Sequence, residues 1–321
     1  MKLLCILMSG TLLAPVPAQA QSFPTKPIRL VVPFATGGAA DTIARAMAVR
    51  MGELLGQPAV VENRAGGLAA IGSDVVAKAV PDGHTLLVAV SPPHVIFPFL
   101  IKNVPFDNIR DFTPIVQIGT LPQVIAVHSS LPVSSLKDLI DHARRSPGKL
   151  SFASSGVGTA QHLGGMQLNK MAGLDLQHIG YKGGGQAITD LLGGQVPIGI
   201  LTLSNVIGHA RAGKLRLLAM LEAQRAKGAP EVPTVAEAGV PGFGIPDTWI
   251  GLMGPANLPA PIVNQLYAAA VKALDYPDVR TRLEGAGIEI RGTSQQSFAD
   301  SISRGFGAFQ KIVTDAGIVP E

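Results

Sequence analysis

Three features of this 321-residue sequence predict an α/β protein of two lobes. Short apolar runs alternate with longer amphipathic segments along most of the chain. Hydrophobic residues make up 47% and charged residues 15%, which excludes a disordered chain and leaves ample apolar surface to bury. Setting aside an N-terminal targeting segment leaves about 300 residues, more than one typical domain and suited to two.

The targeting segment is read from residues 1–20. Lys2 is a minimal positive start, residues 3–13 are apolar but too short to span a bilayer, and Ala18-Gln19-Ala20 is a small-residue cleavage site. The mature chain is expected to begin at Gln21. The competing reading, an N-terminal anchor, is opposed by the short run and by Pro15 and Pro17. Cys5 is the only cysteine, so the mature chain has neither disulfides nor thiol chemistry and is held by its core. Losing Lys2 changes the net charge from +4 to +3. Arg144-Arg145 is the only adjacent basic pair, and three Tyr and one Trp form no aromatic-interleaved basic stripe, so nucleic acid is not an expected partner. No later apolar run is long enough for a membrane span.

The elements follow in order. Residues 28–32 form a continuous apolar run, a strand buried on both faces. Beyond Gly37-Gly38 a helix carries Ile43, Met47, Met51, Leu54 and Leu55 on one face and ends at Gly56. Pro58 leads into a strand over 58–61, a helix covers 71–80, Pro81-Asp82-Gly83 stops it, and a strand covers 85–90. This βαβαβ succession implies a parallel sheet. Strands at 113–118 and 124–127 flank Leu121-Pro122. A helix capped by Ser134 or Ser135 runs to Arg145.

A second unit places strands at 150–153, 177–181, 198–201 and 215–220, with helices at 163–171, 186–192 and 204–211. Residues 233–246 are rich in Pro and Gly, 249–253 is a strand, and helices close the chain at 261–274, 277–284 and 294–316. Pro261 and Pro277 suit first-turn positions. The pattern suggests that one lobe is inserted into the other: residues 21–123 with 248–321, and residues 124–247. The chain is expected to cross near 123–127 and 246–251.

Two glycine turns are candidate binding elements. Ser154-Ser155-Gly156-Val157-Gly158-Thr159 lies between a strand and a helix, and Phe34-Ala35-Thr36-Gly37-Gly38 with Asp41 repeats the arrangement near the start. Unpaired amides and the helix dipole at such places attract anions, so the two turns are expected to face each other across a cleft and hold a small carboxylate. Valine at Gly158 is expected to crowd those amides and weaken binding with the fold nearly intact. Thr159 reads as a helix cap, and Ser155 as the hydroxyl that reaches the ligand. Asp41 is either a ligand contact or a support for the first loop through backbone amides, and support is favoured. Tyr181 either packs over the ligand or caps the core, and Lys182 either attracts the anion or points to solvent. Trp249 is either a hinge or cleft-wall residue or a core residue. Thr202 and Ser204, at the end of a strand and just beyond it, complete the set. His162 beside two serines invites a hydrolase reading with Ser155, but no G-x-S-x-G elbow surrounds either serine. The histidine spacing matches no metal motif, and no cofactor is expected.

Taken together, the motifs resemble the Bug family of extracytoplasmic solute receptors, the TctC-type binding proteins of tripartite tricarboxylate transporters. The resemblance covers essentially the whole mature chain. It rests on Pro33-Phe34-Ala35-Thr36-Gly37-Gly38-Ala39-Ala40-Asp41, Val61-Glu62-Asn63-Arg64-Ala65-Gly66, Pro81-Asp82-Gly83-His84-Thr85, Gln161-His162-Leu163, Tyr181-Lys182-Gly183-Gly184, Asp190-Leu191-Leu192-Gly193-Gly194 and Val232-Pro233-Thr234-Val235-Ala236-Glu237-Ala238-Gly239 in that order. The family implies a two-lobed periplasmic binding-protein fold of type II-like form, two α/β domains with a hinged cleft. It implies a periplasmic receptor, not an enzyme, that grips a small carboxylic acid through backbone amides and ordered water; a monomer is expected. It also implies membrane permease subunits as partners. A receptor that presents its ligand to a sensor kinase, and a secreted serine hydrolase using Ser155 and His162, are the alternatives. The chain departs from the family after Gln195-Val196, where Pro197 and Leu201 replace two usual acids. That departure predicts a ligand with carboxylates and no free amine.

Overall fold

The structure, a computed structural model, describes residues 23–37, 39–315 and 317. The expected targeting segment, the cleavage point before Gln21, and Gly38 lie outside the described residues.

Strand β1 (Ile28–Val32) leads through α1 (Ala39–Leu55), β2 (Ala59–Asn63) and α2 (Ala70–Ala77) to β3 (Thr85–Val90). Leu30 and Val32 join Ile43 and Met47 of α1 in one core, while Val31 points the other way and packs with Val76 in a second. Burial on both faces is why β1 reads as a continuous apolar run. β1 pairs in parallel with both β2 and β3. A short helix α3 (Ser91–Val95), with Pro92 and Pro93 in its first turn, was not foreseen in the sequence. β4 (Phe112–Thr120) then brings the chain to Leu121-Pro122.

The second lobe begins at β5 (Gln123–His128) and continues through α4 (Leu136–Arg144), where the Ser135 hydroxyl caps the helix by accepting from the Asp138 N–H. β6 (Ser151–Ser154), α5 (Ala160–Ala172), β7 (Gln177–Gly180), α6 (Gly184–Leu192), β8 (Ile198–Thr202), α7 (Leu203–Arg211) and β9 (Leu215–Met220) follow. Gly173, at φ +63°, closes α5 in the left-handed conformation. The chain returns at β10 (Trp249–Pro255) and ends with α8 (Ala260–Leu274), α9 (Pro277–Gly285), β11 (Glu289–Thr293) and α10 (Gln295–Asp315).

The strands form two sheets, one of six in the order β11-β4-β10-β3-β1-β2 and one of five in the order β7-β6-β8-β5-β9. The parallel arrangement holds for β1, β2 and β3, but β10 is antiparallel to both β3 and β4. The reason is topological. β3 and β4 run toward the edge where the chain leaves the sheet, and β10 runs away from it on return. In the second sheet β6 is parallel to β7 and β8, and β5 is antiparallel to β8 and β9.

The first crossing is narrower than expected. Residues 124–127 lie inside β5 and are paired with β8, so the chain crosses at Leu121-Pro122 alone. The return falls at 246–248, because Trp249 is already paired with Thr120. Three hydrogen bonds bind these segments: Leu121 N–H to the Thr248 carbonyl at 2.7 Å, Leu221 N–H to the Gln123 carbonyl at 2.9 Å, and Ile245 N–H to the Leu221 carbonyl at 3.0 Å.

One apolar core belongs to each sheet alone, and the remaining core is shared. The shared core joins Val31, Val95 and Phe309 to Ile125, Phe152 and Leu163. α10 packs on β4 and α3 and reaches α5 across the lobes, where Lys170 meets Asp315 at 3.5 Å.

Candidate functional site

The carboxyl ends of β1 and β3 and the start of β10 form one sheet edge. The carboxyl ends of β6 and β8 and the start of β5 form the other. Open α/β sheets place ligands outside such strand ends.

In the first turn Gly37, at φ +85°, donates its N–H to Asp41 Oδ2 at 2.9 Å. Asp41 is buried, and it also accepts from Arg45 Nε at 3.0 Å and Asn63 Nδ2 at 3.0 Å. The Arg45 guanidinium is the main reason that the Asp41 carboxyl is held down at about 2. Asn63 further ties the turn by donating to the Phe34 carbonyl at 3.1 Å. Phe34 packs on the core of its lobe, while Thr36 and Gly37 are exposed. The Asp41 carboxylate is thus engaged within its own loop.

In the second turn the side chains occupy several of the amides expected to face an anion. Ser155 N–H donates to Gln161 Oε1 at 2.8 Å, Gly156 N–H to Ser154 Oγ at 3.1 Å, and Gly158 N–H to His162 Nδ1 at 3.2 Å. Thr159 caps α5, accepting from the His162 N–H and donating to the Gly156 carbonyl. The amides of Val157, Ala160 and Gln161 have no hydrogen-bond acceptor among the described residues. They lie at the tip of the turn and in the first turn of the helix, where unpaired donors are intrinsic.

Ser154 is fully buried, and its Oγ lies 2.7 Å from His178 Nε2. The His178 ring stacks on His162 with centroids 4.0 Å apart. Burial lowers both imidazoles, His178 to about 4, with the neighbouring His162 adding to that shift. These contacts correct the Ser155–His162 pairing. His162 Nδ1 already accepts the Gly158 N–H, so in the neutral ring the proton sits on Nε2 and no basic nitrogen is left for a serine. The serine that meets a histidine is Ser154, and it is sealed from solvent.

Tyr181 and Lys182 follow β7 beside this turn, with Tyr181 N–H donating to the Ser154 carbonyl at 3.1 Å. The Tyr181 hydroxyl donates to Asp190 at 2.7 Å, and burial, reinforced by that carboxylate, raises it to about 12. Lys182 is exposed. Thr202 joins the turn indirectly, its hydroxyl accepting from Gln161 Nε2 at 3.3 Å. Ser204 does not join it. Its side chain is packed against Gly287 of the other lobe and lines a cavity of about 470 Å³ with Ile207, Arg211 and Arg280. Trp249 is core, buried and edge-on to Phe298 at 5.0 Å.

The sequence reading missed Gln161, Asn63, His178 and the lobe-to-lobe contact at Gly158. A Cβ on Gly158 would stand 2.7 Å from Leu100 Cδ1, so the turn of one lobe packs against the segment after α3 of the other. No group of three or more potential metal ligands occurs among the described residues.

The family model for the tripartite tricarboxylate transporter family receptor, TctC, matches residues 43–318. The chain belongs to the TctC receptor family. It is 40% identical over 295 residues to the UPF0065 protein in the tcbD-tcbE intergenic region of Pseudomonas sp. strain P51, covering 92% of this chain and 87% of that one. Among solved structures it is similar to R. palustris Rpa4515 with adipate, at 33% identity and a TM-score of 0.80 over 93% of this chain and all (100%) of the other. It is also similar to MatC (Rpa3494) from Rhodopseudomonas palustris with bound malate, at 31% identity and a TM-score of 0.75, over 91% and 100%. This TctC chain is therefore a periplasmic solute-binding receptor and not an enzyme. No helix among the described residues is long and apolar enough to cross a membrane.

Proposed function

We propose that this receptor captures a small carboxylic acid between its two sheet edges and delivers it to the membrane subunits of a tripartite tricarboxylate-type transporter. The observation that carries the reading is the pair of strand-to-helix turns, one per lobe, each stiffened by its own side chains. The adipate and malate bound by the two structural relatives support the ligand class. In the second lobe the anion meets the unpaired amides of Val157, Ala160 and Gln161 and the Ser155 hydroxyl, with the α5 dipole adding partial positive charge. The first lobe contributes the exposed turn at Thr36 and Gly37, while Asp41 holds that loop in shape. The two lobes, one built on each sheet, close about the crossings at 121–122 and 246–248, and contacts to both lobes favour the closed form. A targeting segment cleaved after Ala20 takes the chain to the periplasm, where it acts as a monomer.

Mass spectrometry of copurifying small molecules, followed by a thermal-shift panel of carboxylic acids, tests the reading. A carboxylate recovered unchanged after denaturation is expected. No stabilisation by any member of the panel would overturn it.

A further inference from the structure

Glu222 is a buried carboxyl group with no cation at its side chain among the described residues. It lies just beyond β9 at the hinge, and its two oxygens stand 2.9 and 3.1 Å from the Gln123 N–H. The charged groups acting on it are two more acids, Asp247 of the return crossing and Glu289 of β11. Arg291 of β11 and Arg304 of α10 act on Asp247. Burial pushes the Glu222 carboxyl up to about 8, so it holds its proton at neutral pH.

From Gln123 a continuous chain of hydrogen bonds reaches the ligand turn. Gln123 Nε2 donates to the Leu121 carbonyl at 2.6 Å, which fixes the side chain to the crossing. Its Oε1 accepts from Gln161 Nε2 at 2.8 Å, and Gln161 Oε1 accepts from the Ser155 N–H at 2.8 Å. Both glutamines are buried, 2% and 6% exposed, and each amide is bonded at both ends, so the pair acts as a rigid spacer rather than two loose side chains.

We propose that Gln161 and Gln123 are positioning residues that hold the Ser155 turn in its binding shape from the hinge, and that the buried carboxyl group of Glu222 anchors this chain. The inference rests on the reading that residues 154–159 contact the ligand. Ionising Glu222 places an anion beside two acids in a dry junction, and the junction must loosen or admit water to relieve it. The Gln123 N–H favours the anion only in part, so the loosened junction lets Gln123 shift within its strand pairing and Gln161 holds Ser155 less tightly.

The folded protein keeps the Glu222 proton to about 8, whereas the unfolded chain releases it near the ordinary 4.5. The folded state therefore binds more protons between these values, and its stability falls as pH rises through that window and levels off above it. Between pH 6.5 and 8.5 the lowered histidines are already neutral, so the effect of Glu222 is seen without theirs.

The test uses ligand-free protein first. Hydrogen exchange at the Ser155 amide, corrected for intrinsic rate, is expected to lose at least threefold in protection from pH 6.5 to 8.5. In Glu222→Gln the protection stays level, and the melting temperature at pH 8.5 exceeds that of the wild type. In Gln161→Leu, or Gln161→Met if leucine unfolds the protein, Ser155 is unprotected at both pH values. The melting temperature of that variant keeps the wild-type pH dependence because Glu222 remains. Level protection in the wild type, an unchanged slope in Glu222→Gln, or a protected Ser155 in the Gln161 variant would each overturn the proposal. Calorimetry with adipate then reads the positioning role: at least fivefold weaker binding is expected in the Gln161 variant, and wild-type affinity would refute it. If no carboxylate of the panel, adipate included, binds the wild type, the proposed function fails, while the exchange data still decide whether the tether exists.

Discussion

Asp41 shows how much of the first glycine turn, proposed to meet the ligand, is devoted to its own shape. Its carboxylate accepts from Gly37, Arg45 and Asn63, and its acid is held at about 2, below the unfolded value of 3.8. The charged form is thus favoured by folding, and this stability is present above the unfolded value and lost as pH falls from about 4 toward 2. Asp41→Asn is expected to destabilise the protein by about 1–2 kcal/mol at pH 7. The gap between variant and wild-type melting temperatures should narrow as pH falls below 4 and close only toward 2. A constant gap from pH 7 to 3 would mean that the charge is irrelevant to the loop. Gly158 carries a second residue-scale prediction. At φ +78° any side chain costs about 1–2 kcal/mol, and a Cβ also meets Leu100. Gly158→Val is therefore expected to lower stability as well as affinity, contrary to the expectation of a nearly intact fold. Adding Leu100→Ala to Gly158→Ala should recover the part due to the collision and leave the backbone part, as read by thermal unfolding. No recovery would place Leu100 away from the turn in solution.

At the scale of the element, the start of α5 combines a cap, two stacked imidazoles and a buried serine. Thr159→Ala is expected to cost about 1 kcal/mol through the lost cap. His162 and His178 are both lowered by burial, so the unfolded chain takes up protons first as the solution is acidified. Stability from this element is present above about 6.5 and declines toward about 4, where His178 itself titrates. His178→Gln keeps a donor for Ser154 and should flatten the melting-temperature profile between pH 6.5 and 4.5. A wild-type slope in that variant would assign the acid limb to other groups. The elements that escaped the sequence reading have local causes. β11 is half-buried throughout except for the exposed Arg291 at its centre, and its sequence, Glu289-Ile290-Arg291-Gly292-Thr293, offers no apolar run. α3 carries Pro92 and Pro93, which read as a break but fit the first helical turn.

For the molecule as a whole the ligand prediction concerns charge. Pro197 accepts a hydrogen bond from His128 at its carbonyl, and Leu201 is fully buried in the core under β8, so neither position offers an acid to an ammonium group. Asp41 and Asp190 are engaged by neighbours. Burying an unpaired ammonium costs several kcal/mol, so glutarate is expected to bind at least tenfold more tightly than glutamate, a difference of about 1.4 kcal/mol. Calorimetry with both ligands decides this, and tighter glutamate would show that an acid reaches the ligand after all.

The sequence by itself determined the alternation of strands and helices, the two-lobed α/β class, the glycine turns at strand ends and the family. Those features are local: apolar period, caps such as Ser135 and Thr159, and left-handed glycines such as Gly173 act within a few residues of one another. Only the tertiary structure decided which strands share a sheet, and that β10 returns antiparallel between β3 and β4. It alone decided that Gln161, Ser154 and His162 already hold the turn's amides, and that Ser204 faces Gly287 and not the turn. It also brought Glu222 to the Gln123 N–H, 99 residues away in sequence. Such pairings depend on side-chain direction and on contacts between distant segments, and periodicity in one chain carries no information about either.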